Sequence, residues 1–66
     1  MTPKEKTIFF LRRHIRHIVD SIQSHQAAKQ NMGITPSAYV MHDDKIGELK
    51  EELELMKQLI RDLEKV

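Results

Sequence analysis

Phe9, Arg12, Arg13 and Arg16 are the residues of this chain whose types and spacing are best suited to chemistry. On a helix Phe9 lies three, four and seven residues from the three arginines, so ring and guanidinium groups share one side. A flat aromatic ring stacks on a base, while guanidinium forks hold phosphate oxygens in pairs. With His17 at its edge, this set fits an anionic ligand such as RNA or a phosphorylated nucleotide. A plainer role is also open to it. Arg16 can pair with Asp20 one turn on, and Phe9 can pack against the end of another hairpin.

The histidines make a second group. His14 and His17 are one turn apart, close enough to share a metal, but zinc wants three or four ligands and no local acid or histidine completes the set. No metal and no other cofactor is therefore expected. His42 falls among apolar positions and reads as a core-edge residue, with a pH-sensitive role as the alternative. Phe10, His14, His17 and Ser21 lie on another flank of the same helix. They read as a bundle edge, or as a polar and aromatic pocket completed across an interface.

Glu48, Glu51, Glu52 and Glu54 read as a solvated face, in which Glu54 can pair with Lys50 and Lys57. General acid–base work needs two carboxylates held opposite each other in a cleft, and the sequence supplies no cleft. Ser24 and His25 are neighbours in sequence, and neighbours on a helix do not face each other. No catalytic residue and no enzyme activity are expected.

Two helices must position these groups. Thr2-Pro3-Lys4-Glu5 places threonine at the N-cap, proline at the first helical position and glutamate where a capping box has it. Thr35-Pro36 repeats the threonine cap and the proline, and Ile34 with Tyr39 has the spacing of a hydrophobic staple. Gly33 fits the left-handed residue that commonly ends a helix. The reading is a single domain over residues 1–66, with a helix over 3–32, a loop over 33–35 and a helix over 36–65. So short a loop forces the helices antiparallel. Gly47, after Asp43 and Asp44, marks a possible kink or break in the second helix between residues 42 and 47.

The apolar positions follow helical periodicity. Ile8, Leu11, Ile15, Ile18 and Ile22 form a stripe on helix one, widened by Val19. Its continuation through His25, Lys29 and Met32 is weaker. Tyr39, His42, Ile46, Leu49, Leu53, Met56, Ile60 and Leu63 keep one register on helix two. Leu55, Leu59 and Val66 lie about 100° or more from that stripe, counting ~100° per residue. One hairpin cannot cover both, and a chain of 66 residues without cysteine has no disulfide to help it. The expected fold class is all-α, an antiparallel two-helix hairpin that oligomerises into a four-helix bundle or larger helical assembly. The expected interface draws on Ile15, Ile18, Ile22, Leu53, Leu55, Met56, Leu59, Ile60 and Leu63.

The formal net charge of +1 conceals an asymmetry. Residues 1–32 hold six Lys or Arg against two acids, whereas residues 33–66 hold five against eight. Opposite halves attract, which favours the hairpin, and the basic half also suits an anionic partner. No apolar run approaches the ~20 residues that span a bilayer, and the start lacks the apolar stretch of a signal peptide. A soluble, cytoplasmic protein is the expectation, with no membrane partner.

The first sixteen residues resemble the start of the Rop family of plasmid copy-number regulators, through Met1, Thr2, Glu5, Lys6, Thr7, Arg13, Ile15 and Arg16. The length of the hairpin is also similar. The resemblance implies a short helical hairpin that dimerises into a four-helix bundle and binds paired RNA stem-loops. It covers about a quarter of the chain and does not extend to helix two. The family's RNA-contacting positions fall here on Pro3, Phe10, His14, Ile18 and His25. None keeps the family's residue type, so no RNA-contacting residue carries over.

The functional expectation is a non-enzymatic, oligomeric regulatory protein that captures RNA or a nucleotide on Phe9, Arg12, Arg13, Arg16 and His17, as a sequestering sponge. The competing expectation is an adaptor or inhibitor that grips a host protein through Leu55, Leu59 and Val66. Duplex DNA binding is a third. It would need a helix to enter the major groove with several side chains on base edges.

Overall fold

Proline at the first helical position costs no hydrogen bond and presets the backbone, and a threonine before it can accept from an orphan N–H. Both starts form in this way in a computed structural model, which describes all 66 residues. The first helix, α1, spans Pro3–Lys29, with the Thr2 hydroxyl accepting from the Glu5 N–H at 3.2 Å. The second, α2, spans Pro36–Lys65, with Thr35 accepting from the Ala38 N–H at 3.2 Å. There are no strands.

The helices pack antiparallel. Lys4 donates to the backbone oxygen of Val66 at the open end, while His25 meets His42 near the turn. The result is a rod of 49 × 17 × 11 Å. Only Ile18, Ile22, Ile46 and Ile60 are buried in the seam. Leu49, Leu53 and Met56 pack against the first three of these. No helix is long and apolar enough to cross a membrane.

Three local expectations need correction. Helix one ends at Lys29, not at Met32, because Gln30 caps it and residues 30–35 make their own turn. There the Asn31 side chain accepts from the Gly33 N–H, and its carbonyl accepts from Ile34. Such local bonds compete with continuation of the helix. Gly33 is not left-handed, since no glycine has positive φ. Finally, Tyr39 does not hold the seam. It is 45% exposed, and Ala38 is the half-buried residue at that turn.

The kink or break that Gly47 left open in helix two is absent, and α2 runs unbroken through Asp43–Gly47. Gly47 lies in the open, while Ile46 beside it is buried in the seam. Tertiary burial there outweighs the cost of one glycine, about 1 kcal/mol relative to alanine.

Candidate functional site

An α-helix that buries one stripe turns its other side outward. The outer side of α1 carries Phe9, Arg13, Arg16 and His17, with Arg12 at its edge towards α2, and these five residues line an open groove of about 480 Å³. The structure thus brings together every residue that the sequence singled out for an anionic ligand. All five come from fewer than three turns of one helix. No loop has to close to assemble them.

The three arginines are not equivalent. Arg12 reaches across the open end to Glu64 at 2.8 Å, although both side chains remain largely in solvent. Arg13 and Arg16 make no ion pair and no side-chain hydrogen bond within the chain, and the anticipated pairing of Arg16 with Asp20 does not form. Two guanidinium groups therefore stand with all their donors free beside the half-exposed ring of Phe9. Glu64 is the one functional neighbour that sequence reasoning missed. It lies 52 residues from Arg12, and only the opposite charge of the two halves hinted at such a partner.

Phe9 is itself braced. Its ring meets that of Phe10 edge-on, with centroids 5.5 Å apart and planes at 74°. This T-shaped arrangement is the favoured one for aromatic quadrupoles. Phe10 itself is not among the residues that line the groove.

The histidines separate. His14 pairs with Glu52 of α2 at 2.8 Å, which takes Glu52 out of the expected solvated face. His17 stays on the groove. His25 and His42 face each other with Nδ1 atoms 2.8 Å apart, half-buried, so that one ring donates to the other. No three histidine or acidic side chains come together as a metal centre would require.

Next to the histidine pair, Lys29 donates to Asp43 at 2.6 Å and lies 4.7 Å from the centre of the Tyr39 ring. The hydrogen bond to Asp43, more than any other influence, holds the Lys29 ammonium above the ordinary lysine range.

A second open groove, of about 590 Å³, lies on α2 between Lys50, Glu51, Glu54, Leu55, Gln58 and Arg61. Its acids and bases alternate and cancel, so it selects no sign of ligand. The α1 groove differs in having three guanidinium groups and no acid in its lining.

No protein-family model, curated protein or solved structure matches this chain.

Proposed function

We propose that this protein is a non-enzymatic, oligomeric binding protein of the cytoplasm. It captures RNA or a phosphorylated nucleotide on the outer face of α1. Arg13 and Arg16 take the phosphates, Arg12 joins them by exchanging Glu64 for the ligand, and Phe9 stacks on a base. A protein of this kind regulates by sequestration, removing its ligand from solution without changing it. The carrying observation is a groove that holds two guanidinium groups without a carboxylate partner, next to an aromatic ring.

The test is fluorescence anisotropy with a labelled single-stranded RNA and a fluorescent nucleoside triphosphate analogue. Replacing Arg12, Arg13 and Arg16 together by Gln should abolish binding to whichever probe is bound, with helicity unchanged by circular dichroism. Three phosphate contacts to a single strand should also give a log–log salt slope of about −2. Wild-type affinity in the triple variant rejects the proposal.

A second reading rests on the exposure of Leu55, Leu59 and Val66. In it these residues grip a host protein, and binding weakens little as salt rises because apolar contact is not screened.

A further inference from the structure

His25 and His42 face each other across the seam and bind nothing else. Their Nδ1 atoms are 2.8 Å apart and their ring centres 5.0 Å apart, with the planes tilted by 46°. The centres exceed the nitrogens in separation only by the radii of the rings, so the two nitrogens meet head on. Both rings are half-buried, and neither has another hydrogen-bonding partner within the chain.

Such a contact runs on a single proton. One Nδ1 must carry hydrogen and donate, while the other offers its lone pair. The pair can be neutral, or it can hold one extra proton on the far nitrogen of the donor ring. A second extra proton has no place. It would set two N–H groups point to point at 2.8 Å and leave two positive rings in contact.

The neighbouring groups do not relieve this. One turn past His25 on α1 lies Lys29, itself a cation and held above the ordinary lysine range. On α2 Tyr39 lies one turn before His42, Asp43 beside it and Lys45 one turn after. Asp43 is taken by Lys29 at 2.6 Å, and Lys45 pairs with Glu48 at 3.5 Å. His14 supplies the contrast. Its ring meets the Glu52 carboxylate at 2.8 Å, where a proton adds attraction.

We infer that the His25–His42 pair is a proton-operated latch, which closes the turn end of the hairpin at neutral pH and releases it in mild acid. Release stops at Ile22 and Ile46, one turn inward on each helix, where aliphatic burial takes over. It also parts Lys29 from Asp43 and Tyr39, since those contacts bridge the same two helices. The α1 groove, from Phe9 to His17, lies beyond the isoleucines and is not disturbed. The latch is therefore independent of the anionic-ligand reading.

The direction follows from counting protons. The open end binds two extra protons where the closed end binds one, so acid favours opening. An imidazole in the open chain takes its proton at about pH 6.5, and one excluded proton then raises the opening constant about tenfold from pH ~7.5 to ~5.5.

Amide hydrogen exchange of the full chain at those two pH values tests the inference, read as protection factors so that the pH dependence of exchange itself cancels. Protection over residues 25–29 and 39–43 should fall about tenfold in acid, while residues 11–18 and 53–60 hold theirs. Replacing His25 and His42 together by Leu should abolish the fall. Imidazole nitrogen shifts of the wild type give a second measurement that needs no variant. Both rings should become doubly protonated only as the turn end opens. Unchanged protection in the wild type would overturn the inference, as would a fall that survives the double substitution. So would a loss spread evenly along both helices, or two charged rings in a turn end that stays closed.

Discussion

From Ile18 to Ile60 the two helices meet through branched aliphatic side chains, whereas beside the turn they meet through His25, His42, Lys29, Asp43 and Tyr39. The aliphatic stretch supplies most of the favourable burial, at roughly 25 cal/mol per Å² of apolar area. Burial of that sort has no direction, and a seam of isoleucine and leucine would tolerate sliding by a turn or a heptad. The polar end would not. A slip there separates the imidazole pair and leaves Lys29 opposite an apolar side chain. Strength and register thus reside in different parts of one seam, as when a single polar position sets the alignment of a coiled coil.

That division can be broken at its strong end first. Ile18 is the most buried residue, at 3% exposure, and Ile18→Ala should lower unfolding stability by about 2–4 kcal/mol. Urea denaturation at fixed protein concentration would measure it. A loss under 1 kcal/mol would mean that the aliphatic stretch does not carry the fold.

The polar end should respond less, and in a different pattern. His42→Leu strands the half-buried His25 nitrogen without its partner and should cost about 1 kcal/mol. Adding His25→Leu should recover that loss or exceed wild type, because removing both polar groups removes the desolvation cost as well. Register would then be the casualty, visible as broadened or doubled amide resonances near the turn. Equal losses in the single and double variants would show that the pair contributes attraction and not alignment.

The smallest effect concerns Lys29. Its ammonium is held above the ordinary lysine value in the folded state, chiefly by Asp43. A raised folded value means that its stabilisation is fully present at neutral pH, and is lost as alkali carries the pH up through the elevated range. Lys29→Gln should lower stability slightly at neutral pH and flatten the alkaline decline, with Tyr39→Phe as a control for the neighbouring phenol. An unchanged alkaline slope would remove Lys29 from the account.

Much of this architecture is legible in the residues themselves. Both Thr-Pro starts announce their caps, the isoleucines of α1 and the heptad register of α2 give the seam, and the groove residues are close enough in sequence to be seen together. What escapes has physical causes. The early end of α1 depends on the Asn31 side chain satisfying Gly33, a local bond that competes with helix propensity. The exposure of Tyr39 in place of Ala38 goes with Lys29, which arrives from across the seam to lie against the Tyr39 ring and pair with Asp43. Arg12–Glu64, His14–Glu52 and His25–His42 all join residues far apart in the chain, so they exist only once the axial alignment of the helices is fixed. No periodicity within a single helix encodes that alignment.

One feature of α1 has a further consequence for how such a protein changes over generations. The groove residues Phe9, Arg12, Arg13, Arg16 and His17 and the seam residues Ile15, Ile18 and Ile22 interleave along the helix without sharing a position. Selection for a new ligand can therefore rewrite one set of letters while the other keeps the hairpin folded. If the groove binds as proposed, it is free to diversify quickly, and kinship among such proteins should persist in the spacing of their buried isoleucines after it has faded from the groove.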